Sequence, residues 1–120
     1  MATVLVVDDA VFMRIMLRDI LREAGHQVIG EAGTGDEAVK LYATLKPALV
    51  TMDMVMPKKS GLEALQEILA LDARARVIMV SAVGQQETAE EALRAGARAY
   101  LLKPFQPDQV RTCIADVLAS

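Results

Sequence analysis

Five short aliphatic runs, Thr3–Val7, Gln27–Gly30, Ala48–Met52, Arg76–Val80 and Ala99–Leu102, recur along the chain, and each gives way to a stretch with helical spacing of its apolar residues. Strands separated by helices pair in parallel through right-handed crossovers, because a parallel return needs a connection of at least a dozen residues. The middle runs are almost wholly aliphatic, without the polar alternation of a sheet that has one face in water, so helices must cover both faces. The expected class is α/β: a five-stranded parallel sheet, doubly wound, with five helices.

The helical stretches carry their own punctuation. The first is expected to start near Ala10 and end at Gly25, with Met13, Leu17, Ile20 and Ala24 facing the sheet and Arg14, Arg18 and Arg22 on a solvated face. Thr34 with Glu37, and Ser60 with Glu63, have the spacing of capping boxes and open the second and third helices. The second carries Ala38, Val39, Tyr42 and Leu45 and stops before Pro47, while the third turns Leu62, Leu65, Ile68 and Leu69 inward. The fourth, Gln85–Ala95, has only Ala89, Ala92 and Leu93 to bury, so packing holds it least firmly and it is the candidate for movement. Pro107 suits the first position of the last helix, which turns Val110, Ile114, Val117 and Leu118 to the sheet. Phe12 reads as a packing residue near the site, His26 as a surface residue without a role, and Cys113 as a buried, inert thiol.

Composition narrows the function. A chain of 120 residues is the size of one domain, 1–120, and its 53% hydrophobic and 24% charged residues make it too apolar for disorder and too charged for a bilayer. Thirteen Lys and Arg against sixteen Asp and Glu leave no basic excess, which disfavours nucleic acid as a partner. The lone Cys113 cannot form an internal disulfide, and Val4–Val7 is too short for a signal-peptide core or a membrane span. A cytoplasmic protein with no membrane contact is expected.

Ligands of doubly wound sheets sit beyond the carboxyl ends of the strands. There the chain places Asp8 and Asp9 after the first strand, Asp53 after the third, Ser81 after the fourth and Lys103 after the fifth. Three carboxylates brought together repel one another and either take up a proton or bind a cation. Mg²⁺ is the expected cofactor, since it is content with one or two carboxylates, several waters and a phosphoryl oxygen at about 2.1 Å; the absence of His and Cys from the set argues against zinc. A carboxylate beside a metal and a lysine can attack phosphorus. Asp53, the central acid, is the expected nucleophile and a metal ligand. Asp8 and Asp9 hold the metal with the Val55 backbone carbonyl, Lys103 pairs with phosphoryl oxygens and Ser81 donates a hydrogen bond to one of them. Small Ala82, beside Ser81, leaves the entrance open to the phosphodonor.

Asp8-Asp9, the run Asp53-Met54-Val55-Met56-Pro57 with Gly61 beyond it, Ser81-Ala82 and Lys103-Pro104 together resemble the motif set of two-component response-regulator receiver domains, over the whole chain. Asp8-Asp9-Ala10, Phe12-Met13-Arg14, Gly84-Gln85-Gln86 and Lys103-Pro104-Phe105-Gln106-Pro107 are similar to the family's stand-alone chemotaxis members. The resemblance implies a flavodoxin-like strand order 2-1-3-4-5. It also implies phosphotransfer to Asp53 from a chemotaxis histidine kinase with Mg²⁺, slow self-hydrolysis, and a cis peptide before Pro104. Ser81 and Tyr100 would form a switch that reshapes the face of the fourth helix, fifth strand and fifth helix for a flagellar motor switch protein. The partner-docking rim lies around Tyr100 and Lys103, and the protein acts as a monomer. Val55 and Val83 depart from well-known members: apolar side chains beside the phosphoryl position cannot orient a hydrolytic water, so an auxiliary phosphatase is expected.

Rival readings are a phosphorelay intermediate or the receiver fragment of a transcriptional regulator. The chain ends at Ser120, directly after the fifth helix, which favours an independent protein. A magnesium-dependent hydrolase wants a second acid where Val55 stands, and a flavin carrier wants a hydroxyl- and glycine-rich loop where Asp8-Asp9-Ala10 stands.

Overall fold

Ten elements alternate strictly along residues 1–120 of the computed structural model. They are β1 (Thr3–Val7), α1 (Val11–Glu23), β2 (Gln27–Ala32), α2 (Gly35–Leu45), β3 (Leu49–Asp53), α3 (Gly61–Leu71), β4 (Val77–Ser81), α4 (Gln86–Ala95), β5 (Ala99–Leu102) and α5 (Pro107–Ala119). All four strand pairings are parallel, in the order β2-β1-β3-β4-β5, as the resemblance implied. No helix is long and apolar enough to cross a membrane.

Two apolar layers sandwich the sheet, and strand alternation decides which residue joins which. Leu5, Val7, Val50, Met52, Val77 and Met79 pack under α2, α3 and α4. Their neighbours Val4, Val6, Leu49, Ile78, Val80 and Leu101 pack under α1 and α5. Every central strand position is therefore buried on one side or the other, which is why these strands read as unbroken aliphatic runs. Each fully buried aliphatic side chain contributes roughly 1.5–3 kcal/mol.

Boundaries shift by a residue or two in ways that bear on the site. β3 and β4 run one residue beyond the expected ends, so Asp53 and Ser81 belong to the strands and are held by the ladder. β2 continues to Ala32, whose carbonyl accepts the Asp8 N–H at 3.0 Å. The Ser60–Glu63 box is complete in both directions. At α2 Thr34 caps the Glu37 amide, but the Glu37 carboxylate reaches past it to the Gly33 N–H. A reciprocal pair of Gln106 and Gln109 also caps α5 behind Pro107, which the Ser/Thr pattern does not reveal. α4 buries only Ala89 and Ala92, with Leu93 at the margin, as its thin stripe implied.

Several expectations need correcting. Arg14 and Arg18 do not lie on a solvated face: both are half-buried against Glu31 of β2, because the edge strand presents that carboxylate to α1. His26 is half-buried and has a role, its Nδ1 accepting the Ala2 N–H at 3.1 Å and tying down the N-terminus; burial lowers its pKa. Cys113 is half-buried rather than enclosed, and desolvation pushes its thiol up, as expected of an unreactive sulfur. Phe12 packs against nothing central and is 69% exposed, since it falls off the stripe through Met13, Leu17 and Ile20.

Candidate functional site

Strand order reverses between β1 and β3, opening a crevice at their carboxyl ends. The register there brings distant residues level. Val7 pairs with Met52, so Asp8 lies beside Asp53; Asp53 pairs with Val80, one step below Ser81; and Ser81 pairs with Leu102, one step below Lys103. Alternation then sorts the side chains. Asp53 follows Leu49 and Thr51 on the α1–α5 face, whereas Ser81 follows Val77 and Met79 on the α4 face, where Tyr100 also packs.

Lys103 joins the acids. Its Nζ lies 3.2 Å from Asp53 Oδ1 and 3.3 Å from Asp8 Oδ2. The carboxylates of Asp8, Asp9 and Asp53 offer oxygens that all lie within 4.8 Å of one another. Asp8 and Asp53 are buried and Asp9 is exposed. Burial and the neighbouring Asp8 raise the Asp53 pKa above the usual carboxylate range, against the pull of Lys103. Burial opposes the charge on Lys103, yet Asp53 and Asp8 together raise its pKa as well. With all four groups ionised, one ammonium faces three carboxylates, and a divalent cation would balance the remainder. Hard oxygens without imidazole or thiolate suit Mg²⁺ or a similar ion.

A second feature lies at the end of the next strand. Ser81 is fully buried, and its hydroxyl has no hydrogen-bond partner. A buried hydroxyl left unpaired costs about 1–3 kcal/mol, which an arriving acceptor would offset; Thr51 Oγ1, buried on β3, is unpaired in the same way. Tyr100 does not supply one: it is half-buried on β5 opposite Met79 and makes no hydrogen bond to Ser81. Val80 gives its carbonyl to Met54 on the β3 side and Ser81 gives its carbonyl to Lys103 on the β5 side, so Ala82, next in the alternation, turns back toward β3. Its amide donates to the Gln85 side chain at 2.7 Å, a partner that motif reading did not find.

The remaining expected residues frame this centre. Met54 is buried while Val55 is 60% and Val83 73% exposed. The Lys103-Pro104 peptide is cis. α3 approaches so closely that the Gly61 N–H donates to the Met54 carbonyl at 2.9 Å, and a Cβ on Gly61 would lie 2.1 Å from the Asp53 carbonyl oxygen. Exposed Phe12 borders a hollow of about 360 Å³ with Met13, Met16, Lys103, Pro104 and Phe105. The largest hollow, about 580 Å³, runs along α5 past Arg98, Thr112 and Asp116, away from the acids. Neither hollow is lined by Asp8, Asp9 or Asp53.

Comparison with known proteins agrees with this geometry. Residues 4–115 match the family model of the response regulator receiver domain. The chain is 52% identical over 107 residues, 89% of each protein, to the chemotaxis protein CheY of Thermotoga maritima. It is 49% identical over 115 residues, 96% of each, to CheY of Bacillus subtilis. It also superposes on the CheX-CheY-BeF3-Mg²⁺ complex from Borrelia burgdorferi with a TM-score of 0.94 at 35% identity, covering 98% of this chain and 90% of that one. A match of this extent, joined to the Asp8, Asp53, Ser81 and Lys103 geometry, settles the kinship: the chain belongs to the response regulator receiver domain family.

Proposed function

We propose that residues 1–120 act as one receiver domain, a monomeric chemotaxis response regulator of the cytoplasm that accepts a phosphoryl group on Asp53. The Lys103–Asp53 pair carries this reading, together with Ser81 one register step away at the end of β4, whose unpaired hydroxyl would find an acceptor in a phosphoryl group on Asp53. An Asp53 carboxylate oxygen attacks phosphorus as the P–N bond of a donor phosphohistidine breaks, and the released imidazole takes up a proton. Lys103 pairs with the transferred oxygens, while Ser81 Oγ and the Ala82 N–H donate to them, the latter after Gln85 lets go. The carboxylates of Asp8, Asp9 and Asp53 and the Val55 carbonyl would hold Mg²⁺, and its charge would offset that of the transferring group. The relative crystallised with BeF3, a tetrahedral phosphoryl mimic, and Mg²⁺ supports both assignments.

The output follows from Ser81. Drawn toward the phosphoryl oxygens, it vacates space on the α4 face, where Tyr100 turns inward and the thinly packed α4 shifts. The reshaped face of α4, β5 and α5 then gains affinity for a flagellar motor switch protein. A chemotaxis histidine kinase is the donor. This part rests on the identity to CheY proteins.

A histidine kinase labelled on its phosphohistidine tests the proposal. Label is expected to pass to the wild type and not to Asp53→Asn, whose circular dichroism stays native because deleting one acid relieves repulsion. Label on a folded Asp53→Asn, or none on the wild type, contradicts it. Binding of the labelled protein to a motor-switch segment supports the chemotaxis output, and onward transfer to a second histidine supports the phosphorelay alternative. With Val55 and Val83 unable to orient water, the adduct should outlast the seconds scale in Mg²⁺ alone and decay faster with an auxiliary phosphatase. Decay within seconds in the protein alone would refute that role for the two valines.

A further inference from the structure

Two cations touch Asp8 at different groups. Lys103 meets its carboxylate, and Arg14 meets its main chain, Nη1 donating to the Asp8 carbonyl at 2.6 Å. A guanidinium at that distance makes a short, charge-assisted hydrogen bond. The other polar atoms of Asp8 are taken too: its N–H donates to the Ala32 carbonyl at 3.0 Å, and Oδ1 accepts the Ala10 N–H at 2.9 Å. Asp8 is thereby fixed at its amide, its carbonyl and both carboxylate oxygens.

Arg14 is itself held in place. Its Nε lies 3.4 Å from Glu31 Oε1, and the other oxygen of Glu31 pairs with Arg18 at 3.3 Å. Glu31 is in register with Val6, which faces α1, so β2 delivers this carboxylate to the same side. Gly33 leaves the room: a Cβ there would lie 3.3 Å from Arg14 Nη1. The Arg14 side chain is only 18% exposed.

We infer that Arg14 is a positioning residue for the metal site. By clamping the Asp8 carbonyl to α1 and β2, it sets the direction of the Asp8 carboxylate and of the Asp8–Asp9 peptide that carries the second acid. The inference rests on the reading of Asp8, Asp9 and Asp53 as Mg²⁺ ligands. A guanidinium suits the task because its planar fork donates to the carbonyl with one edge while another faces Glu31 as an ion pair, whereas a lysine is a single point of charge. Coulomb's law alone acts the other way, since a fixed cation near three acids weakens their hold on Mg²⁺. The sign of the effect therefore separates positioning from field.

Calorimetric titration of Mg²⁺ into wild type, Arg14→Met and Arg14→Lys tests this, with circular dichroism in chelator as the check on folding. Binding is expected to weaken about tenfold in Arg14→Met, as for other partners that orient metal ligands. Arg14→Lys, which keeps the charge without the fork, should also weaken it. Unchanged or tighter binding in a folded Arg14→Met overturns the inference and leaves the metal reading standing. Should Arg14→Met fail to fold, Glu31→Gln, which loosens one edge of Arg14, must still weaken Mg²⁺ measurably, and unchanged affinity there overturns the inference. Wild-type protein that takes up no Mg²⁺ overturns the metal reading and the inference together.

Discussion

Lys103→Met should lower the stability of the metal-free protein by about 2–3 kcal/mol at neutral pH and slow phosphoryl acceptance by about 10²–10³-fold. Removing the ammonium leaves Asp8 and Asp53 buried side by side without the cation that touches both. The stability loss has a defined pH dependence. Burial and Asp8 already raise the Asp53 pKa above its unfolded value, so the fold favours the protonated acid, and stability falls as pH rises from about 3.9 through the folded pKa. Without Lys103 that pKa rises further, so the deficit should be small in acid, where both states carry the proton, and largest above the folded pKa. Thermal midpoints in chelator across pH 3–8 would show the widening gap. A deficit that does not change with pH would mean that Lys103 acts through packing of its stem instead.

Gly61→Ala should be the most damaging single-methyl change in the protein, costing about 3 kcal/mol and roughly 12 °C of thermal midpoint. The added Cβ would meet the Asp53 carbonyl oxygen at 2.1 Å, and the Asp53 carbonyl carbon and Met54 Cα at 2.9 Å. All three are backbone atoms, so no rotamer change can make room. Either α3 retreats, losing the Gly61-to-Met54 hydrogen bond and the packing of Leu65 and Ile68, or the end of β3 moves and takes Asp53 with it. Differential scanning calorimetry checks the magnitude. A change below about 0.5 kcal/mol, the range of an ordinary surface substitution, would show that α3 does not press on β3 as described.

What could be read from the residues alone follows the physics of each feature. The aliphatic runs, the Ser60–Glu63 box and Pro107 are local signals, and each appears where expected because its cause lies within a few residues. Convergence of Asp8, Asp53, Ser81 and Lys103 was also legible, since parallel winding returns every strand end to one rim. The setting of Arg14 is not legible in the sequence because its partners depend on register: nothing local to α1 indicates that β2 brings Glu31 beneath it, or that Gly33 leaves space for a guanidinium. Phe12 departs from expectation because an aromatic near a site suggests packing, while its angular position on α1 turns it outward. Gln85 escaped notice since glutamine caps a neighbouring amide only when the preceding turn, with Gly84 at φ +95°, folds it back. Site chemistry was thus visible in residue types, and the residues that hold it in place required the fold.

The most direct measurement is the intact mass of the wild-type protein after incubation with acetyl phosphate, with Mg²⁺ and with chelator. Addition of one phosphoryl group in Mg²⁺ only, mapped to the peptide containing Asp53 after borohydride reduction, is the predicted result. An adduct that forms equally well in chelator, or that maps to a residue other than Asp53, would contradict the account.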